Sequence, residues 1–100
     1  MNVVLSINNL PIRLTDERWA HIVAEHAELT AMQSDILETI ANPQRVLEGS
    51  AGELLAIREV ELGKWLVVVY RVDKADGFII TAFLTRRVRS LEKRRVLWSR

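Results

Sequence analysis

The sequence predicts an α+β fold with two N-terminal helices packed on a three- to four-stranded antiparallel sheet, followed by a basic C-terminal helix. Three observations predict it. Apolar residues recur at helical spacing before Pro43, β-branched runs separated by turn residues follow Pro43, and the last fifteen residues are basic and lack Pro and Gly. A length of 100 residues with 49% apolar residues suits a single domain with a small core.

Two helices are predicted in the N-terminal half. Before them, residues 3–7 form an apolar stretch that is typical of a short strand or a packed arm. Thr15 is a suitable N-cap, and the acidic residues after it favour the helix dipole. The first helix should span Asp16 to Leu29, and its apolar spacing is set by Trp19, Ile22, Val23, His26 and Leu29. The second helix should begin near Ser34 or Asp35 and end at Asn42-Pro43.

Strands are predicted after Pro43, and turn residues separate them. The predicted strands are Val46–Leu47, Glu53–Glu61, Trp65–Val72 and Phe78–Thr85. Residues 73–77 are predicted to form a turn, in which Asp76-Gly77 is a common hairpin signal. In the basic tail, Val88, Leu91 and Trp98 are spaced to share a helix face.

Composition excludes several classes of protein. There is no cysteine, which excludes a disulfide scaffold, a thiolate metal site and a cysteine nucleophile, and makes the cytoplasm the expected compartment. The longest apolar runs fall far short of the ~20 residues of a membrane helix, and the N-terminus lacks the basic region of a signal peptide. We therefore expect no membrane association.

The charge is distributed very unevenly. The formal net charge is +1, but residues 1–85 carry −5 and residues 86–100 carry +6. Such asymmetry indicates contact with nucleic acid or an acidic partner, although a solvated terminal helix has the same pattern. The candidate nucleic-acid-binding residues are Arg86, Arg87, Arg89, Lys93, Arg94 and Arg95.

The two histidines, His21 and His26, are both on the first predicted helix, and histidine is the usual proton-transfer residue near neutral pH. Five residues apart, they lie ~140° apart around the helix, so they do not form a metal pair. His26 falls in the apolar stripe that faces the sheet, and His21 falls beside Glu25. The alternative to a catalytic role is a hydrogen-bonded core histidine for His26 and an ordinary surface histidine for His21. No metal or cofactor is expected, and no glycine-rich phosphate loop is present.

Polar residues interrupt the apolar strands, and they are the remaining candidates for chemistry. They are Arg58, Tyr70, Arg71, Thr81 and Thr85. Strand alternation places both threonines on the same side as Ile79 and Phe83. Guanidinium groups bind phosphate in a bidentate way, and hydroxyls bond phosphate or ribose oxygens. The alternative is that these residues cover the solvated face of the sheet.

Residues 12–85 resemble the small phage and bacterial nucleases of the barnase–EndoU–colicin–RelE-like group. The resemblance rests on residues 12–22, Glu25-His26, Glu28-Leu29 and 40–43, and on the strands Leu66–Arg71 and Asp76–Thr85. It implies helices that precede a four-stranded antiparallel sheet. Residues 86–100 form a basic segment outside the matched region.

The resemblance also implies an activity, which is that of a metal-independent ribonuclease, often the toxin of a toxin–antitoxin pair. Such enzymes use the 2′-hydroxyl of RNA as nucleophile and leave a 2′,3′-cyclic phosphate. His21 or His26 would then be the general acid or base. Arg58 and Arg71 would stabilise the phosphate, and Tyr70, Thr81 and Thr85 would orient it. The expected partners are RNA and an acidic antitoxin. The alternative is a non-catalytic RNA- or protein-binding module that uses the basic C-terminal segment.

Overall fold

The computed structural model describes all 100 residues, which form one sheet with helices packed against it. The strands are β1 (Asn2–Leu5), β2 (Pro11–Leu14), β3 (Arg45–Glu48), β4 (Leu54–Glu61), β5 (Lys64–Asp73), β6 (Asp76–Thr85) and β7 (Val96–Ser99). The helices are α1 (Asp16–Glu25), α2 (Gln33–Ala41) and the single turn α3 (Arg89–Glu92). A 3₁₀ turn, Ala27–Leu29, follows α1.

The predicted fold class is wrong. The sheet has seven strands in the order β1-β2-β6-β5-β4-β3-β7, and it is mixed because β2 runs parallel to β6. The helices are not N-terminal, since β1 and β2 precede them. The sequence pattern of Ile12-Arg13-Leu14 predicts only a lead into the first helix. Instead, Ile12 and Arg13 pair with Gly77 and Phe78 at the start of β6, which extends the sheet beyond the predicted antiparallel strands.

The prediction of a basic C-terminal helix is also wrong. Only Arg89–Glu92 is helical, and Val96–Ser99 forms a strand that pairs antiparallel with β3. The apolar residues of this segment pack in two different places. Leu91 packs on a face of the sheet, whereas the β-prone run Val96-Leu97-Trp98 adds a strand to the edge of the sheet. Residues 86–95 therefore cross the sheet from the end of β6 to β7, and we call them the basic strap.

Helices α1 and α2 form at nearly the predicted positions. Thr15 caps α1, and its hydroxyl oxygen accepts a hydrogen bond of 3.1 Å from the backbone N–H of Arg18. The α-helical part ends at Glu25 rather than at Leu29, because a 3₁₀ turn takes over after His26. Both helices pack on one face of the sheet, which we call the helix face. Its buried residues include Ile22, Leu29, Ile36, Ile40, Leu66, Val68 and Tyr70.

The opposite face carries a second, smaller core, and we call it the strap face. Leu91 of the basic strap covers it, together with the neighbouring Val88. The sheet residues of this core are Leu47, Leu55, Ile57, Trp65 and Val67. The sheet is thus apolar on both sides, which accounts for the nearly continuous apolar run of β5.

The β5–β6 hairpin turns within the predicted residues 73–77, but not at Asp76-Gly77. Asp73 pairs with Asp76, so the turn is Lys74-Ala75, and Lys74 has a positive φ of 59°. Asp76-Gly77 instead begins β6. A Cβ on Gly77 would lie 2.3 Å from the carbonyl oxygen of Arg71, so glycine is needed here for close packing rather than for the turn.

No helix of this chain is long and apolar enough to cross a membrane.

Candidate functional site

One open cleft of about 330 Å³ lies where β6 ends and β5 begins. It is lined by Glu28, Lys64, Leu84, Thr85 and Arg86. The β4–β5 turn, in which Gly63 has a φ of 75°, brings Lys64 to the rim that Arg86 reaches from the end of β6. Neither cation has a carboxylate oxygen within 4 Å. Two cations without an ion-pair partner and one hydroxyl are groups that bind phosphate, whereas the Glu28 carboxylate in the same lining opposes an anion.

His26 lies next to this cleft. Its Nδ1 is 3.4 Å from Oε1 of Glu28, a cleft residue, and its ring centre is 6.5 Å from that of Phe83 on β6. The side chain is 32% exposed, so the imidazole is accessible to solvent while it contacts the sheet. The carboxylate of Glu28 lies on the Nδ1 side of the ring, so Nε2 is the ring nitrogen that faces away from it.

Thr85 is held in place by the chain that follows it. Its hydroxyl oxygen accepts a hydrogen bond of 3.0 Å from the backbone N–H of Arg87. The hydroxyl proton stays available as a donor, since a threonine hydroxyl has one donor and two acceptor sites. On the neighbouring strand, Trp65 pairs with Thr85, and the guanidinium of Arg45 lies 5.7 Å from the Trp65 ring centre. Arg45 therefore adds a third cation near this end of the sheet.

The other predicted catalytic residues do not meet at the cleft. His21 lies on the solvent side of α1, 54% exposed, with its Nε2 2.5 Å from Oε1 of Glu25. Arg58 points to the helix face, where its guanidinium donates to the hydroxyl of Thr39 and to the carboxylate and carbonyl of Asp35, all at 3.2 Å. Arg58 thus connects β4 to α2 through its Nε and Nη2 groups, and it does not line the cleft.

Arg71 is at the opposite end of β5. It lies six residues from Trp65 along the strand, about 20 Å at 3.3 Å per residue. Its guanidinium donates to the carbonyl of Ala51 at 2.9 Å, in the β3–β4 loop. In this loop the pKa of the Glu53 carboxyl lies below its ordinary value, mainly because the carboxylate accepts backbone hydrogen bonds. The positive charges of Arg71 and Arg94 lower this pKa further. The loop and these side chains form a structural cluster that is remote from the cleft.

Thr81 lies near the middle of the strap face. The prediction that it shares a side with Ile79 and Phe83 is half wrong, because a bulge shifts the register between Val69 and Tyr70. Val69 pairs with Thr81 and Tyr70 with Ile79, so Ile80 is the extra residue of β6. The bulge sends Ile79 to the helix face and leaves Thr81, Phe83 and Thr85 on the strap face.

Tyr70 lies in the core under the helices and is almost completely buried. Burial raises the pKa of its hydroxyl to about 12, because the tyrosinate anion is poorly solvated there. Tyr70 therefore supports the fold, and it does not reach the cleft.

We expect this tyrosine to make folding sensitive to alkali. The folded-state pKa lies above the ordinary value of 10.0, so the stabilising contribution is complete below pH 10 and is lost as the pH rises toward 12. The full loss corresponds to roughly 2 to 3 kcal/mol of unfolding free energy. Denaturant unfolding at increasing pH measures it. Tyr70→Phe should remove this part of the pH dependence, and since Tyr70 is the one tyrosine, tyrosinate absorbance reports it directly. Identical pH profiles for the two proteins would contradict the expectation.

The basic strap presents its cations outward. Arg86, Arg87, Arg89, Lys93 and Arg95 are exposed, and Arg94 is half-buried, with an Nη1 contact of 3.4 Å to the carbonyl of Glu48. No cation of the strap has a carboxylate oxygen within 4 Å. The strap begins at the cleft with Arg86, so its positive surface is continuous with the cleft.

No family model, curated protein or solved structure matches this chain. The resemblance to the barnase–EndoU–colicin–RelE-like nucleases therefore stays a prediction. The structure brings Thr85 and Arg86 together, with His26 beside them. Sequence reasoning missed three cleft residues, the charged Glu28 and Lys64 and the apolar Leu84. The position of Glu28, two residues after His26, could have indicated that it belongs to the site. Lys64 has no such indication, because it follows Gly63 in a tight turn.

Proposed function

We propose that this chain is a metal-independent endoribonuclease of the toxin type, related to the group that residues 12–85 resemble. The observation that carries the proposal is the cleft: Lys64, Arg86 and Thr85 surround a space that suits a phosphate, and His26 lies beside it with Glu28 at its Nδ1. Acid–base, cationic and hydroxyl groups thus meet at one end of the sheet.

In the proposed reaction, the 2′-hydroxyl of RNA attacks the adjacent phosphorus, and His26 Nε2 accepts the hydroxyl proton. The bond from phosphorus to the 5′ oxygen breaks, and this oxygen takes a proton from a water molecule. The hydroxide that remains takes the proton held by His26, so water and the starting form of His26 are restored. The products are a 2′,3′-cyclic phosphate and a 5′-hydroxyl. Lys64 and Arg86 stabilise the negative charge that builds on the phosphate, as preorganised cations do. Thr85 donates its hydroxyl proton to a phosphate oxygen.

The proposal is tested by incubating the purified protein with a labelled single-stranded RNA in the presence of a chelator. We expect cleavage and products that end in 2′,3′-cyclic phosphate. Expression of the unaltered chain should arrest growth, and co-expression of an acidic antitoxin should relieve the arrest. Products with a plain 3′-hydroxyl, or intact RNA under all conditions, would overturn the proposal.

The second candidate function is an RNA-binding module without turnover, which uses the basic strap. The observation that favours it is the row of exposed strap cations without carboxylate partners. Salt-dependent RNA binding without cleavage would identify this function in place of the first.

Neutralising the exposed middle of the strap separates these roles. We expect Arg87→Gln, Arg89→Gln and Lys93→Gln together to weaken RNA binding, and the slope of log K against log salt to become shallower by about 0.7 for each RNA phosphate that the variant no longer neutralises. The cleavage rate at saturating RNA should not change, because these residues do not line the cleft. Lys74→Gln, which removes an exposed cation at the far end of β5, is the matched control. A salt slope that is unchanged in the triple variant would exclude the strap as an RNA-binding surface.

A further inference from the structure

An apolar pair is exposed on β7, the strand at one edge of the sheet. Val96 is 47% exposed and Leu97 is 44% exposed. Val96 lies opposite Leu47, a residue of the strap-face core, so this valine continues that core to the edge. The register between β3 and β7 shifts at this point, and Leu97 has no partner on β3. Two neighbouring aliphatic side chains are thus open to solvent where the basic strap joins β7.

Cations flank this apolar pair on both sides. Arg95 precedes it, Arg100 follows it, and Lys93 lies in the adjoining part of the basic strap; all three are exposed. None of them has a carboxylate oxygen within 4 Å. The neighbouring acids, Glu92 in the strap and Glu48 at the end of β3, form no ion pair either. The flanks of the pair therefore keep an excess of unpaired positive charge.

This edge is not suited to receive another strand. The register shift and the flanking arginines both discourage pairing with a further chain. The strand itself has only four residues, and short edge strands are a third device of this kind. A ligand therefore binds here through its side chains, without extending the sheet.

We propose that Lys93, Arg95, Val96, Leu97 and Arg100, which we call the basic edge, bind an acidic segment of a partner protein that also carries apolar side chains. Carboxylates of the segment pair with the two guanidinium groups, which bind carboxylates in a bidentate way. Apolar side chains next to these carboxylates cover the valine and the leucine and remove their exposed area from water. The ligand must therefore combine acidic and apolar groups.

An acidic protein segment fits the basic edge better than RNA or an anionic bilayer does. RNA binds through its phosphates and stacks its bases on aromatic rings or guanidinium planes, so it leaves an aliphatic pair uncovered. The pair offers fewer apolar carbons than one acyl chain, and a single myristoyl chain gives only marginal binding to a bilayer. Strands β4 and β3 separate β7 from the strands that line the cleft, so this binding does not depend on the proposed function.

Fluorescence anisotropy with the full chain and two labelled peptides tests the proposal. Both peptides carry the same glutamates, and one has leucines at the positions where the other has serines. We expect the Glu/Leu peptide to bind about tenfold more tightly than the Glu/Ser peptide, since only leucine buries the half-exposed aliphatic pair. Binding of both peptides should weaken as the salt concentration rises.

Two variants of the basic edge separate its apolar and cationic parts. Val96→Ser with Leu97→Ser should weaken binding of the Glu/Leu peptide about tenfold and leave binding of the Glu/Ser peptide unchanged. Lys93→Gln, Arg95→Gln and Arg100→Gln together should weaken binding of both peptides, because the carboxylates lose their partners. Thermal unfolding confirms that each variant is folded.

The matched control is Val3→Ser with Leu5→Ser. These two residues are an apolar pair on the other edge strand, β1, and each is 54% exposed, but residues 1–10 contain no charged side chain. The control should bind both peptides like the unaltered chain. Equal affinity for the two peptides, or no binding of the Glu/Leu peptide at low salt, would overturn the proposal.

The same serine variant at Val96 and Leu97 excludes the other occupants of the basic edge. Binding to labelled RNA, binding to vesicles that contain anionic lipid, and self-association in sedimentation velocity should be the same in this variant and in the unaltered chain. A loss in any of these three measurements would show that RNA, a bilayer or a second copy of the chain covers the apolar pair, and it would overturn the proposal.

Discussion

His26→Ala is expected to reduce RNA cleavage by about 10² to 10⁴-fold, the contribution that a positioned acid or base makes to such a reaction. The variant removes the imidazole beside the cleft and leaves Lys64, Thr85 and Arg86 in place. His26 ends α1 through its backbone N–H, which donates to the carbonyl of Ile22, and alanine keeps that bond. Initial rates on a labelled RNA measure the effect, and thermal unfolding checks the fold.

His21→Ala is the matched control for this prediction. Both histidines belong to the same helix region and both have a glutamate partner, but His21 points to solvent beside Glu25 and has no contact with the cleft. We expect its cleavage rate to match that of the unaltered chain. Equal losses in the two variants would mean that neither imidazole takes part in the chemistry. Full activity in His26→Ala would remove His26 from the mechanism.

Much of the secondary structure was predictable because local patterns determine it. The Thr15 cap and the apolar spacing from Trp19 to Leu29 locate α1, and the long β-branched run locates β5. The topology was not predictable in the same way. Residues 12–14 and 96–99 are short apolar stretches whose strand state depends on β6 and β3, distant in the sequence, and nothing local distinguishes them from a helix lead-in or a helix face.

The candidate site shows the same limit. The helix phase separated His26 from His21, and the charge partition pointed to residues 86–100. The polar residues of the strands were grouped by type, and the structure disperses them: Arg58 binds α2, Tyr70 is buried, and Arg71 binds the β3–β4 loop. The face of the sheet to which a strand residue points, and the residues beside it, depend on the register of strand pairing. This register is set by tertiary contacts, which the local sequence does not show.

The role of the basic strap in the fold leads to the second large expected effect. Leu91→Ala should lower the free energy of unfolding by about 2 to 3 kcal/mol, as truncation of a nearly buried leucine does. Leu91 is 7% exposed and packs in the strap-face core, among Leu47, Ile57 and Val67. The helix that carries it has four residues, too few to be stable by itself, so packing must hold it in place.

Denaturant unfolding measures this loss, and Leu97→Ala is its control. Leu97 is also an apolar residue of the C-terminal segment, but it is 44% exposed on β7, so its truncation should cost less than about 0.5 kcal/mol. Similar small losses in both variants would show that the strap is not part of the core. If the prediction is correct, deletion of residues 86–100 exposes the strap-face core and destabilises the whole sheet. Loss of RNA binding on deletion would then say nothing about charge, and glutamine substitutions at exposed strap cations are the valid measure of their contribution.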